Sequence, residues 1–466
     1  MRLISTTTRI VGLLLGAGVL CGACSDSDRE LGQLADDAGS DPAPTVDAGP
    51  GDGSSADADA DAPEVSVPLT CKVTPCVTAL AAKGGSHVCA LLADKTVRCW
   101  GSNASGQLGA ETPADPDAGA ADGGAASGPY SARPVRVANV DNATQISVSG
   151  VGTSCARLED GSVMCWGANT RGQLGLSADQ VVTDTQSHPS ASRVEGLPFA
   201  SRVDVGGAFA CAVGALGTNG NAGGSMYCWG ENSALQLGRG YLPIESGVVG
   251  PVGLRYRHVL SGTGTMRVGF AIRDNGALLP WGGAEWKKGG LKDALARETS
   301  FSPDGDPLEI PGLNEVTSVV AGAQHACAVS RGDVYCWGQN ATGAIGNSNK
   351  SDVFAPFLVT ILGAGPIEDV AASNITTCAW TREGRAYCWG DNTNGQLGGG
   401  NADVAFKPVV VGSSSARIVQ IAAMDRATCA LIEDGSVQCW GSNAEGQLGI
   451  GVRDDLPHYS PQTVIF

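Results

Sequence analysis

Cysteine is the residue type in this chain best placed to do chemistry. There are 16 in 466 residues, and most fall into short-range pairs: Cys89 and Cys99, Cys155 and Cys165, Cys211 and Cys228, Cys327 and Cys336, Cys378 and Cys388, Cys429 and Cys439. Such a pair can bind zinc, sit as two buried thiols or close a disulfide. Zinc asks for CxxC knuckles or interleaved histidines. The chain has neither, and only five His in all. Disulfides are therefore expected, with buried free thiols as the alternative, and Cys71 and Cys76 pair by elimination. Disulfides persist in oxidising compartments, so the expectation also bears on location.

Other reactive types are sparse. No Gly-x-Ser-x-Gly, HExxH or P-loop occurs, and no convincing Ser/His/Asp or Cys/His set. No catalytic, cofactor-binding or metal-ligating residue is assigned. The run ADADADA lacks the Gly turn and bidentate Glu of a calcium loop. His87 and His325 share one slot, His-x-Cys-Ala, which favours a structural role. One segment, AEWKKGGLKD, puts Trp286 beside Lys287 and Lys288. It is the chain's candidate binding patch.

The cysteines sit inside a longer pattern. Cys-Ala, an apolar residue, a polar turn with Gly, Cys-Trp-Gly, then Asn and Gly-Gln-Leu-Gly recurs with Trp at Trp100, Trp166, Trp229, Trp281, Trp337, Trp389 and Trp440. The fourth copy has Phe270 and Pro280 in place of both cysteines. Joint loss is what a bonded pair predicts. Each copy reads as a β-hairpin. In the second, a three-residue loop with Gly161 left-handed sets Leu158 opposite Ser162 and Cys155 opposite Cys165. Upstream lie further short strands, as in ATQISVSG and, before it, ARPVRVANV. About four strands per repeat is the content of a propeller blade. The repeated Trp reads as core, and the Gly-Gln-Leu-Gly runs as turn and packing signals.

Trp-Gly-x-Asn, Gly-Gln-Leu-Gly and His-x-Cys-Ala resemble the repeats of the regulator of chromosome condensation family, the RCC1-like propellers. The resemblance implies an all-β, seven-bladed β-propeller over residues 68–466. It also implies a ring closed by strands from both chain ends, with Pro461 to Phe466 completing the blade of Trp100. For activity it implies guanine-nucleotide exchange, as in nuclear members, or inhibition of an enzyme such as a β-lactamase, as in secreted bacterial members.

The N-terminus argues for the outside of the cell. Arg2 and Arg9 precede an apolar run from Ile10 to Leu20, the order of an export signal. Ala23 before Cys24 resembles a lipobox, so residues 1–23 are expected to be a lipoprotein signal peptide and Cys24 the lipidated residue. Ser25 then reads as an outer-membrane sorting signal, and the alternative is a plain secretory signal. Residues 24–67 are rich in Asp, Ala, Gly and Pro. From Ser25 to Ser66 there are 12 acids and one base, so a disordered acidic linker is expected. The net charge of −17 argues against nucleic acid as partner.

The expected function is an extracytoplasmic, lipid-anchored binding module in the bacterial envelope. It is expected to be monomeric and non-enzymatic, needing no cofactor and touching the membrane only through its lipid. It recognises a protein or a glycan through its loop faces. An enzyme working at the propeller's central opening is the alternative from another class.

Overall fold

The computed structural model describes residues 68–466 apart from 111–127, 180–181, 215–223, 239–244, 250–255, 262–266, 284–294, 297–302, 400–403 and 413–415. The expected signal peptide, Cys24, the linker and the patch Trp286, Lys287 and Lys288 lie outside the described residues.

The described chain is all strand and turn. The first sheet is β1 (Val77–Ala81), β2 (His87–Leu92), β3 (Val97–Ser102) and β4 (Tyr130–Arg136). The second is β5 (Ala143–Val148), β6 (Thr153–Leu158), β7 (Val163–Gly167) and β8 (His188–Arg193). The third is β9 (Ala200–Val205), β10 (Phe209–Gly214), β11 (Met226–Glu231) and β12 (Glu245–Val249). The fourth has β13 (Tyr256–Ser261), β14 (Val268–Arg273) and β15 (Leu278–Gly282). The fifth is β16 (Val316–Ala321), β17 (His325–Ser330), β18 (Asp333–Gly338) and β19 (Val353–Leu358). The sixth is β20 (Ile367–Ala372), β21 (Thr376–Thr381), β22 (Ala386–Gly390) and β23 (Ala405–Val410). The seventh is β24 (Ile418–Ala423), β25 (Ala427–Ile432), β26 (Val437–Asn443) and β27 (Asp454–Thr463). All pairings are antiparallel between consecutive strands. The first strands touch one another in the cyclic order β1, β5, β9, β13, β16, β20, β24 and back to β1. They surround the axis of a propeller.

Six sheets are complete four-stranded blades, one fewer than expected. The sheet of Trp281 has three strands among the described residues; where the fourth would pair, the segment from Asp304 to Ile310 is held to β15 by the bridge of Gly282 to Asp304 and by the Ile310 N–H on Leu278 O at 3.0 Å. The slot of the second cysteine explains why. In the other blades the two cysteines lie directly opposite, their Cα atoms 4.0–4.1 Å apart. That is the narrow, non-hydrogen-bonded kind of pair, so the second cysteine turns its N–H outward to the fourth strand. Pro280 opposes Phe270 in the same register and has no N–H to offer.

The strand phase also corrects an expectation. Pro461–Thr463 belong to β27, which pairs with β26 in the blade of Trp440, and the blade of Trp100 is completed by β4. Each described fourth strand follows its Cys-Trp-Gly strand instead of preceding it, so the blades are contiguous in sequence and, among the described residues, no strand is shared between the chain ends.

The core is divided into clusters, each lying between two neighbouring sheets. A typical one sets the disulfide of one blade against the Trp of the next, as Cys155 and Cys165 against Trp229. Where the fourth repeat lacks its disulfide, Phe270 meets Trp337 edge-on, with ring centroids 6.1 Å apart.

Candidate functional site at the axis

All seven expected disulfides are present, Cys71–Cys76 included. The repeat cysteines are buried, and all seven repeat Trp are fully buried. The hairpin prediction holds in detail. Leu158 N–H donates to Ser162 O at 2.8 Å, and Gly161 has φ of 82°.

The Trp and the Gly-Gln-Leu-Gly turn are the two halves of one joint. The indole N–H of Trp166 donates to the carbonyl of Gln107 in the preceding blade at 2.8 Å. Trp229 does the same to Gln173, Trp281 to Gln236, Trp440 to Gln396, and Trp389 to Ala344, which stands in the Gln slot. The turn is held by Asn, whose Oδ1 accepts the Leu N–H, as in Asn169 to Leu174. Its last Gly lies against the next Trp: a Cβ on Gly109, at φ 69°, would come 3.0 Å from the Trp166 nitrogen. These motif residues are therefore occupied with holding blades together. His87 and His325 belong to the same class. Each is buried and shares a hydrogen with a hydroxyl of the next blade, Ser154 at 3.0 Å and Thr377 at 2.7 Å. Burial lowers both imidazoles to a pKa of about 4.

Other polar residues gather on the axis. A cavity of about 680 Å³ opens where the first strands converge. Each first strand carries a β-bulge at its second residue. In four blades the bulged residue is Thr or Ser, and its hydroxyl returns to a carbonyl of the second strand, as Thr78 to Leu91 O. The third residues then face the axis or the neighbouring blade. Gln145 grips the backbone of Val203 at both N–H and C=O, and Gln420 grips Leu80 in the same way.

The sixth blade departs from this plan at three slots that all line the cavity. Its bulged residue is Glu368, its third residue is Asp369, and opposite Asp369 stands Trp380, where other blades place Leu91, Val213, Ile272, Val329 and Leu431. Glu368 is bound by Arg382 at 3.1 Å. Asp369 accepts the N–H of Val370 at 2.7 Å, and burial holds its carboxyl above the usual Asp range, with Ser318 and Arg202 acting in the opposite direction. Arg202, from the third blade, is exposed. Trp380 is 4% exposed and its indole nitrogen has no hydrogen-bond partner.

The far ends of the first strands differ. There Lys83 spans from the first blade to Asp204 of the third at 2.6 Å and to Val205 O at 3.1 Å. Asp425 accepts the N–H groups of Gly85 and Asn374. Among the described residues no cluster of His, Cys, Asp or Glu could hold a metal ion. Sequence reasoning missed Arg202, Asp369 and Trp380. The signal was available as the three departures of the sixth copy, but it becomes meaningful only when the slots are known to share one cavity.

Comparison with known proteins agrees with the repeat reading. Two descriptions of the regulator of chromosome condensation (RCC1) repeat match, one at residues 160–213, 331–380 and 383–431, the other at 77–107, 143–173, 316–344, 367–396 and 418–447. The chain is 33% identical over 190 residues to the ultraviolet-B receptor UVR8 of Arabidopsis thaliana, covering 40% of this chain and 42% of the receptor. It is 28% identical over 307 residues to the E3 ubiquitin-protein ligase HERC2 of Homo sapiens, covering 64% of this chain and 6% of the ligase. The chain thus spans less than half the length of either relative. Among solved structures, Prp20p of Saccharomyces cerevisiae superposes with a TM-score of 0.64 at 16% identity, covering 84% of this chain and 88% of that one. Human WBSCR16 gives 0.64 at 21%, covering 80% and 95%. These likenesses concern the fold.

Proposed function

The chain belongs to the RCC1 repeat family, and from that premise we propose that it is a non-enzymatic recognition module, lipid-anchored outside the cytoplasm, that binds a protein or glycan partner through one face of its ring. The carrying observation is the axial cavity: Arg202 and the Trp380 indole N–H line it without taking part in a blade joint, while the conspicuous motif residues hold blades together. Relatives lend support of a general kind. Prp20p is described by its binding to Gsp1p and histones, and yeast RCC1 in complex with Kap60. Those partners belong to those proteins.

The extracytoplasmic part rests on the sequence of residues 1–24 and on the disulfides, which an oxidising compartment maintains. The same location argues against exchange activity on a cytosolic GTPase. A target that is itself an enzyme would make the module an inhibitor without altering the recognition chemistry.

Two measurements test the proposal. Fractionation should find the wild-type chain with membranes and a Cys24→Ser variant released from them. The mature chain, immobilised by its C-terminus, should retain a discrete partner from envelope extracts or a glycan array. A reduced chain found in the cytosol would overturn the location, and substrate turnover in a hydrolase and lyase screen would overturn the non-enzymatic reading.

A further inference from the structure

We propose that the axial cavity is a binding site for a small zwitterion of the amino-acid class, whose carboxylate is taken by Arg202 and whose ammonium is taken by Asp369. This goes beyond partner recognition and does not depend on it.

Four charged residues line the cavity among the described residues: Arg202, Arg382, Glu368 and Asp369. Their formal charges cancel, which disfavours a polyanion and a polycation alike. Glu368 and Arg382 satisfy each other. Arg202 and Asp369 come from different blades and are close enough for the guanidinium to act on the carboxyl, yet they form no ion pair. A buried carboxylate is costly unless it is paired and hydrogen-bonded. Burial raises the Asp369 carboxyl, and Ser318, the Val370 N–H and Arg202 offset that only in part. A ligand carrying one charge of each sign supplies both missing partners. A guanidinium is well suited to a carboxylate, through two parallel hydrogen bonds.

The rest of the cavity fits the same class. Trp380 brings a large apolar ring to a slot that is aliphatic in most of the other blades, together with an N–H lacking an acceptor. Buried donors without acceptors are rare in finished structures and ask for an explanation. A ligand oxygen would answer that need. Val319, Val370 and Val419 add apolar wall for a side chain. At about 680 Å³ the volume lies inside the range of small-molecule sites, roughly 300–1,000 Å³. The ring itself gives the strongest reason to see a site: all three slots that break the repeat in the sixth blade open on this one space.

The test is isothermal titration of the mature, oxidised chain with L-leucine, L-phenylalanine, L-glutamate and L-lysine, and with the N-acetyl and C-amide form of each. At least one free amino acid should bind, and masking either of its ends should weaken it by about ten- to a hundredfold. Arg202→Gln should abolish the preference for the free acid over the amide while keeping the preference for the free amine. Asp369→Asn should do the reverse. Thermal unfolding confirms that each variant is folded, and if one is not, the masked series on the wild type decides alone. Absence of heat with every free amino acid up to its solubility limit overturns the proposal. So does equal binding of free and masked forms. Either result leaves capture of a macromolecular partner to be judged separately.

Discussion

At the scale of single residues, the joints between blades are built from one donor and one carbonyl, with a variation that can be measured. Ala344 O accepts from the Trp389 indole and also from the Thr377 hydroxyl, both at 2.8 Å. Gln173 O accepts from Trp229, and the slot of the helping hydroxyl is Ala210. Trp→Phe at either site removes volume and one N–H. Only at Trp229 is a buried carbonyl left without its side-chain donor, which costs about 1–3 kcal/mol more. Denaturant unfolding should therefore rank Trp229→Phe as less stable than Trp389→Phe; equal losses would mean that the carbonyl is satisfied in another way. The buried histidines give a pH dependence. Each has an unfolded pKa of 6.5 and a folded pKa of about 4. Between these values the unfolded chain binds protons that the folded chain refuses, so stability falls as pH drops through the window. The loss approaches about 3 kcal/mol per histidine below the folded pKa. Asp369 and Asp425, with raised pKa values, work in the opposite sense. Replacing both histidines, His87→Gln with His325→Gln, should flatten the stability profile between about pH 4 and pH 6.5. An unchanged slope would show that these imidazoles do not control acid stability.

At the scale of elements, the hairpin was legible because its determinants are local. Turn residues set the register, and the register sets which cysteines meet. The fifth blade shows how closely this holds: Arg331 and Gly332 form a two-residue turn, both at positive φ, and the bonded cysteines are 9 residues apart instead of 10. The fourth strand was misplaced because nothing local distinguishes its owner. ARPVRV reads equally well as the last strand of one blade or the opening strand of the next. Only its pairing with Cys99 and Gly101 decides. The disulfide closing a ten-residue separation at Cys155–Cys165 should contribute about 2–3 kcal/mol in the chain-entropy view. The double variant Cys155→Ala, Cys165→Ala should lose about that much while remaining folded. The blade of Trp281, with neither disulfide nor described fourth strand, is the natural weak element. Hydrogen exchange should find β14 and β15 opening before β6 and β7, and uniform protection would refute this.

At the scale of the whole molecule, ring closure is where sequence reasoning by resemblance fails and the physical account changes. With no strand exchanged, the last blade must join the first by the same means as any other neighbours. It does so. Trp100 donates to Gln447 O at 2.9 Å, and Gln420 grips Leu80 as Gln145 grips Val203. Two additions belong to this joint. The segment carrying Cys71–Cys76 lies along the last hairpin turn, with Thr70 N–H on Glu433 O at 2.7 Å and Val77 N–H on Gly435 O at 3.0 Å. The final residue, Phe466, packs edge-on against Trp100 at 5.9 Å. Neither addition could be read from the repeat pattern, because each uses residues outside it. A ring sealed by side chains, turns and a short backbone bridge of Lys83 and Gly84 to Ala423, with no strand exchanged, should open at its seam when these additions are removed. Phe466→Ala should therefore cost about 1–2 kcal/mol, the loss of an aromatic pair plus part of its burial. Exchange protection should fall in β1 and β25 but not in β17 or β21. A loss spread evenly over all blades would mean that closure is no weaker than the other joints, and that the ring unfolds as one cooperative unit instead of unzipping from its ends.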